Sequence, residues 1–184
     1  FSKQVIIKFN STIISGLLSP EGNPYAGSTL SFSGTGASAS QPGELALENG
    51  SFIEFYDSIL IHKIPRQENY SWYLVWYGDV VIKRSTFENW DMLALRSSNN
   101  TFDDFVLTNV QMGFHFDVNQ TGSLNKIISR FADEHGLHLR SIYRQGNNVT
   151  ITNLQVVEVG IADIEVENYT GIANLINPTL NWSR

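Results

Sequence analysis

The amino-acid sequence predicts an all-β protein whose main domain is a β-sandwich of the immunoglobulin-like or jelly-roll-like kind. Short apolar runs recur along the chain, and clusters of Gly, Asn, Ser and Pro separate them. Several runs alternate apolar and polar residues, which is the two-residue period of a strand with one buried face. Nine or more such runs are typical of a sandwich or barrel. We detect no internal repeat.

Composition excludes several classes of function. The chain has 184 residues, a net charge of −6 and no cysteine. Charged residues make up only 16%, against about 25% in typical globular domains. The negative charge and the lack of a basic run argue against nucleic acid as a partner. Without disulfides, a secreted domain must be stabilised by its core, by metals, by oligomerisation or by other cross-links.

The first strand is predicted at residues 4–14 and is followed by a segment rich in Ser, Gly and Pro. We therefore divide the chain into a tail at 1–18 and a sandwich head at 19–184. A tethered apolar strand can be donated to the sheet of a neighbouring subunit, and repetition of that contact makes a fibre. The alternative is that it is the domain's own first strand. The apolar residues proposed for donation are Val5, Ile7, Phe9 and Ile13.

The rest of the chain is predicted to form short antiparallel strands and one helix. Hairpin turns are expected at Asn49-Gly50, at Gly78-Asp79 and across Gln145–Asn148. The helix is predicted at Leu124–His135, between an N-cap at Ser123 and a C-terminal Gly136. Its apolar stripe comprises Leu124, Ile127, Ile128 and Phe131.

Sequons for N-glycosylation are the strongest functional signal. Eight Asn-x-Ser/Thr sites occur, where composition alone would give about three. Most of them fall in turn-forming clusters, and a glycan needs such a position because it must project into solvent. They predict a secreted, extracellular glycoprotein. The sites are Asn10, Asn49, Asn69, Asn99, Asn119, Asn148, Asn168 and Asn181.

No metal, cofactor or catalytic site is predicted. His135 and His138 are expected on opposite sides of the helix end, and His62 and His115 are isolated in the sequence. Acidic residues suited to glycoside hydrolysis cannot be paired from sequence, and no Gly-x-Ser-x-Gly motif occurs. An enzyme is therefore not expected. The acidic residues in strand-like contexts are Glu54, Asp57, Asp79 and Glu158.

One strand is unusually aromatic. Trp72 and Trp76 share one face with Tyr70, while Tyr73 and Tyr77 share the other. One face is expected in the core, and the other is expected to form a subunit contact or an aromatic sugar platform.

With an apolar strand at 4–14, a cysteine-free β-rich head and dense sequons, the chain resembles the thread filament subunits of thermoacidophilic archaea of the Sulfolobus type. Its start at Phe1 rather than Met also indicates a removed leader, with trimming of the chain as the alternative. The resemblance implies a pilus-like glycoprotein filament linked by donor-strand complementation and by isopeptide bonds. The lysines suggested for such bonds are Lys3 and Lys8.

These observations predict a structural subunit of an extracellular cell-surface filament. It polymerises with itself head to tail, carries N-glycans and can contact surfaces or other cells. The alternative is a secreted carbohydrate-binding or adhesion domain that uses the Trp72/Trp76 strand. A capsid or surface-layer component is a third hypothesis.

Overall fold

In the computed structural model, the described residues are 4–7, 12–15, 29–32, 43–47, 52–57, 59–62, 72–141 and 146–181. Within these ranges the chain is all-β and forms a parallel β-solenoid. No helix in these ranges is long and apolar enough to cross a membrane. The strands are β1 (Gln4–Ile7), β2 (Thr12–Ser15), β3 (Thr29–Phe32), β4 (Gly43–Leu47), β5 (Phe52–Tyr56), β6 (Ile59–His62), β7 (Trp72–Trp76), β8 (Asp79–Glu88), β9 (Met92–Leu95), β10 (Thr101–Phe116), β11 (Leu124–Arg140), β12 (Val149–Thr152), β13 (Gln155–Val159), β14 (Ala162–Glu167), β15 (Ala173–Ile176) and β16 (Thr179–Asn181).

Each turn of the solenoid runs through three faces, and the strands within each face are parallel. The first face consists of β1, β4, β7, β9, residues 112–116 of β10, residues 135–140 of β11, and β14. The second consists of β2, β5, residues 79–83 of β8, residues 101–103 of β10, residues 124–125 of β11, β12 and β15. The third consists of β3, β6, residues 85–88 of β8, residues 105–110 of β10, residues 127–132 of β11, β13 and β16.

The chain bends between faces at residues with left-handed backbone angles, whose φ values lie between 48° and 65°. Successive turns place these residues in register, so that they form two columns along the solenoid. The two bends within one turn are five residues apart, as at Arg84 and Asn89. The first corner column is Asp57, Arg84, Asp104, Lys126, Asn153 and Asn177. The second corner column is Asn89, Asn109, Phe131 and Glu158.

Side-chain contacts along the corners join one turn to the next. In the first corner column, Arg84 Nε lies 2.6 Å from Asp57 Oδ1. In the second, Asn109 Nδ2 donates to Asn89 Oδ1 at 2.5 Å. Asn also tolerates left-handed backbone angles better than most residues. Six of the ten residues in these two columns are Asn or Asp, which suit the backbone conformation and can also form contacts between turns.

The interior of the solenoid is filled by aromatic and aliphatic side chains from all three faces. Phe87 lies edge-on to Trp76 at 5.7 Å and to Phe105 at 4.8 Å. Phe105 in turn lies edge-on to Phe114 at 5.3 Å. Such edge-on pairs stabilise a core beyond the burial of their area. Aromatic rings from successive turns are thus in contact along the axis of the solenoid.

The predicted β-sandwich is wrong because its antiparallel pairings do not occur. β4 pairs with β1 and β7, and β5 pairs with β2 and β8, so Asn49-Gly50 does not join a hairpin. The same holds for Gly78-Asp79, since β7 and β8 belong to different faces. The third predicted hairpin is also wrong, because β12 runs parallel to β11. A turn residue here redirects the chain onto the next face and does not reverse it.

The predicted helix at Leu124–His135 is wrong, since these residues belong to β11. Leu124 and Ile127 are buried, but Phe131 is exposed. The bend at Lys126 adds one residue to the alternation, so that residues three apart both face the interior. This spacing imitates the i, i+3 period of a helix.

An internal repeat is present after all. The repeat is a unit of nine residues, in which positions 1, 4, 6 and 9 are buried and positions 3 and 8 have left-handed backbone angles. The pattern begins at Ile82, Phe102, Leu124 and Ile151, one turn apart in each case. It has no single invariant residue and is spaced unevenly, which explains why inspection of the sequence misses it.

The predicted first strand is divided between two faces. β1 pairs in parallel with β4, placing Val5 beside Leu45, and β2 pairs with β5, placing Ile13 beside Ile53. Both pairings lie within the chain and continue the first and second faces of the solenoid. The proposed donor residue Phe9 and the proposed cross-link residues Lys3 and Lys8 lie outside the described residues.

Candidate functional site

A column of histidines lies on the first face, at a position that successive strands share. His115 of β10 pairs with His138 of β11, which pairs with Glu165 of β14. On the two preceding turns, Val75 and Ala94 occupy the same position. Both side chains are buried, as are those of the two histidines. The two histidines therefore continue a line of buried side chains along the first face.

His135 joins this column from the bend that leads into the first face. Its Nε2 lies 2.7 Å from Glu165 Oε2. His138 Nε2 lies 3.8 Å from the same oxygen and 3.4 Å from Glu167 Oε2. Each of His135, His138 and Glu165 offers one potential ligand atom, and these three atoms lie within 4.8 Å of one another. We call these three residues the His-His-Glu cluster.

The histidines are connected to one another in a chain. His138 Nδ1 lies 3.3 Å from His115 Nε2, and the two rings meet edge-on at 4.3 Å. One of these nitrogens donates a hydrogen bond to the other. On the far side of His138, its Nε2 faces the carboxylates of Glu165 and Glu167.

Burial favours the neutral form of two of these rings. Desolvation lowers the pKa of His115 well below its usual value, and a charge on His138 would lower it further. Desolvation also lowers the pKa of His138, although the carboxylate of Glu165 acts in the opposite direction. A neutral imidazole keeps one nitrogen lone pair, which is the form that ligates metal ions.

Several buried nitrogen atoms of the column lack a hydrogen-bond partner among the described residues. They are His115 Nδ1, His135 Nδ1 and His138 Nε2. An unpaired buried polar atom costs free energy, so its retention calls for an explanation such as an ion. Imidazole and carboxylate donors in this combination suit Zn²⁺ and related divalent ions.

The site is not evident in the sequence because its residues are far apart in the chain; His138 follows His115 by 23 positions. The one local signal was the separation of three between His135 and His138. It was discounted because a helix end was expected at Gly136. In β11 the bend beside Gly136 instead brings both rings to one carboxylate.

A second feature is the edge at which each turn passes from the first face to the second. Four sequons lie there on consecutive turns, at Asn99, Asn119, Asn148 and Asn168. All are exposed except Asn119, which is half-buried. We call this line the sequon edge. Asn181 is exposed at the end of β16, and Asn10, Asn49 and Asn69 lie outside the described residues.

Two of the four asparagines at the sequon edge use the acceptor side of the amide, whereas Asn99 Nδ2 donates to Asp79 Oδ2 at 3.3 Å and Asn168 Nδ2 to Glu167 Oε1 at 3.5 Å. Asn119 Oδ1 accepts from the backbone N–H of Asn148 at 3.0 Å. Asn148 Oδ1 accepts in the same way from Ile172 at 3.0 Å. Glycosylation modifies Nδ2 and leaves Oδ1 as an acceptor. These two bonds are therefore compatible with glycans.

The acidic residues considered for glycoside hydrolysis have separate surroundings. Asp57 is paired with Arg84, whose hydrogen bond lowers the pKa of Asp57. Asp79 accepts hydrogen bonds from Ser97 and Asn99. Glu54 accepts one from Tyr56, and Glu158 lies in the second corner column. Each therefore has a structural setting of its own.

The aromatic strand is divided between core and surface. Trp76 is 2% exposed and stacks on Phe55 with ring centroids 6.0 Å apart. Tyr73 is half-buried and Tyr77 is exposed. Tyr70 lies outside the described residues, and only the backbone of Trp72 is described. Trp76 is therefore unavailable to a sugar platform.

An open groove lies beside the end of β11. Its lining includes Arg96, Arg140, Ser141, Val166 and Tyr169. The two arginines also pair with the buried carboxylate of Asp117, at 3.3 and 3.2 Å. The single negative charge of Asp117 balances one of their two positive charges.

Comparison of the chain with protein-family models, with curated proteins and with solved structures yields no match.

Proposed function

We propose that this chain is a structural segment of an extracellular, N-glycosylated cell-surface filament, in which the solenoid acts as a stiff rod. The observation that carries the proposal is the sequon edge. Four sequons on four consecutive turns fall at one corner of the cross-section, between the first and second faces. Glycans there would coat one side of the rod and leave the other sides free for contacts.

The last described turn supports growth of the rod by addition of a second copy. Among the described strands, β14, β15 and β16 each pair only towards the preceding turn. Large apolar side chains are exposed on this turn, which is unusual at such density. They are Ile161, Val166, Ile172, Ile176 and Leu180. A copy stacked in the same register would bury these side chains and extend the three ladders, as each turn does for the one before.

Such stacking is heterologous, so it produces a linear polymer and not a closed dimer. Open strand edges also favour association through backbone hydrogen bonds. This mode of assembly replaces the donated strand expected from the sequence. It requires no exchange of chain segments between subunits.

Glycosylation is tested by producing the chain in a secretory host that attaches N-glycans and mapping occupancy by peptide mass spectrometry. We expect glycans at Asn148 and at its neighbours on the edge. Thr150→Ala removes the Asn148 sequon and should abolish occupancy there, whereas Thr150→Ser preserves the sequon and should retain it. An unmodified Asn148 in the secreted wild-type chain would contradict the glycoprotein assignment.

Assembly is tested by electron microscopy and light scattering of the purified chain at increasing concentration. We expect thin filaments, which Ile176→Lys combined with Leu180→Lys should abolish by placing charge on the stacking surface. Phe131→Asn is the matched control, because it removes an exposed apolar residue from the side of the rod. A monomer at all concentrations would refute self-assembly.

An adhesion domain remains the second hypothesis, and the groove beside β11 is the observation that favours it. Arg140, Ser141 and Tyr169 offer donors, an acceptor and an aromatic ring at its wall. Binding of acidic glycans by a monomer, lost in Tyr169→Ala, would support this function over the filament.

A further inference from the structure

We propose that His135, His138 and Glu165 bind one divalent transition-metal ion of the Zn²⁺ class, which clamps the last described turn of the solenoid to the turn before it. The two histidines belong to β11 and the glutamate to β14, the neighbouring strand of the first face. The ion would therefore bridge two turns. This inference is independent of glycosylation and of filament formation.

The geometry of the His-His-Glu cluster fits an ion of this size. In tetrahedral Zn²⁺ sites the metal lies about 2.0–2.2 Å from nitrogen and oxygen ligands, which corresponds to ligand separations of roughly 3.3–3.6 Å. The observed separations from Glu165 Oε2 are 2.7 Å to His135 Nε2 and 3.8 Å to His138 Nε2. These values bracket the required distance. Small rotations about the side-chain bonds of Glu165 would make the two separations equal.

The buried donor atoms point to a cation at the centre of the cluster. His138 Nε2 is buried, makes no hydrogen bond to a described residue, and lies 3.4 Å from Glu167 Oε2. In the tautomer that carries its proton on Nδ1, the Nε2 lone pair of His138 and the two carboxylates repel one another unless a positive charge lies between them. Glu167 is thus placed to complete the coordination or to accept a hydrogen bond from a metal-bound water.

His115 acts as a positioning residue behind His138. Donation from His138 Nδ1–H to His115 Nε2, at 3.3 Å, leaves the Nε2 lone pair of His138 free for the metal. Ligating histidines commonly donate their other ring N–H to a fixed acceptor, which selects the tautomer and the ring orientation. The acceptor is usually oxygen, and a buried imidazole nitrogen serves the same purpose here.

The ligand types select the ion. Two imidazoles with carboxylate oxygen suit Zn²⁺, Co²⁺ and Ni²⁺, whereas Ca²⁺ and Mg²⁺ prefer sites made of oxygen alone. In a chain with no cysteine, such an ion would supply the cross-link that disulfides provide in other secreted proteins. It would act on the last described turn, whose strands pair, within the described part of the chain, with β11, β12 and β13.

The alternative occupant of the cluster is a proton. A protonated His135 would form an ion pair with Glu165 and satisfy that contact without any metal. The two possibilities differ in their response to added metal, because an ion pair gives no stoichiometric uptake.

The test is a titration of the full chain, freed of metal by chelator, with Co²⁺, which reports tetrahedral coordination through its visible absorption. We expect one Co²⁺ per chain, displaced by Zn²⁺ and not by Mg²⁺. Glu165→Gln and His138→Asn should each weaken binding at least about tenfold. Glu158→Gln, an exposed acid outside the cluster, is the matched control and should bind as the wild type does.

The role of His115 is tested by His115→Gln, which keeps a hydrogen-bond acceptor, and by His115→Phe, which does not. We expect His115→Phe to weaken Co²⁺ binding by about 10–100-fold and His115→Gln to recover part of it. Circular dichroism shows whether each variant folds. A wild-type chain that takes up no Co²⁺ overturns the proposal, as does equal uptake by the wild type and folded Glu165→Gln.

Discussion

Left-handed backbone angles at the corners explain much of this protein at the scale of single residues. Asn, Asp and Gly adopt such angles at low cost, whereas a bulky side chain in this conformation is strained. The second corner column contains Asn89 and Asn109 on successive turns, and then Phe131 with a φ of 54. Phe131 is 49% exposed, so it gains little from burial in return. This position therefore departs from the local pattern.

Replacing Phe131 with Asn should stabilise the protein. The substitution relieves left-handed strain of about 1 kcal/mol and allows the introduced amide to extend the hydrogen bond that Asn109 makes to Asn89. We expect a higher unfolding midpoint in urea, followed by circular dichroism. Phe131→Ala removes the ring without adding a suitable amide and should not reproduce the gain. An asparagine variant no more stable than the wild type would show that the corner is not strained.

At the scale of strands, close approach of neighbouring turns limits which residues the bends accept. Gly113 and Gly136 lie beside each other where β10 and β11 enter the first face. A Cβ atom on Gly113 would lie 2.0 Å from the backbone oxygen of Gly136. Because backbone cannot rotate away as a side chain does, any larger residue must separate the two strands.

Gly113→Ala should therefore destabilise the fold by about 1–3 kcal/mol, the usual range for overpacking. It should also weaken Co²⁺ binding, since Gly136 lies next to His135. Thermal unfolding and the Co²⁺ titration measure the two effects. Gly146→Ala is the matched control, because its added Cβ meets only Thr170 O at 3.8 Å, an ordinary contact. Similar unfolding temperatures for the two variants would refute the close approach.

Sequence patterns located the strands but not their partners. Residues 4–14, predicted as one strand, contain β1 and β2. The alternation of apolar and polar residues is a local property, because it reflects which side chains of one segment face the core. Pairing depends on contacts between distant segments, and a turn at Asn49-Gly50 or Gly78-Asp79 is compatible with either reversal or a bend. The helix prediction failed for the related reason that a bend within β11 imitates helical spacing.

At the scale of the whole molecule, the solenoid is a one-dimensional stack in which each turn is stabilised by its two neighbours. Interior turns are covered on both sides. The last described turn, β14 to β16, packs only against β11, β12 and β13. Its stability is therefore expected to be the lowest among the turns within residues 72–181.

Hydrogen exchange measured by mass spectrometry should reveal this gradient in the monomer. Amides of β8 and β10 should exchange slowest and those of β15 and β16 fastest, because local opening needs less free energy where one neighbour is absent. Added Zn²⁺ should slow exchange in β14 if the His-His-Glu cluster binds it. Uniform protection through β16 would contradict an end that is open in the monomer.

The sequence by itself determined that the protein is β-rich, which segments form strands, that no disulfide stabilises it, and how many sequons it carries. These properties depend on composition and on neighbours a few residues apart. Only the tertiary structure decided that the strands stack in parallel, that four sequons share one edge, and that His115, His138 and Glu165 form a column. The physical reason is register. Successive turns differ in length, with Val81 paired to Thr101, Phe105 to Ile127 and Ile128 to Gln155, so residues that meet across turns share no constant spacing in the sequence.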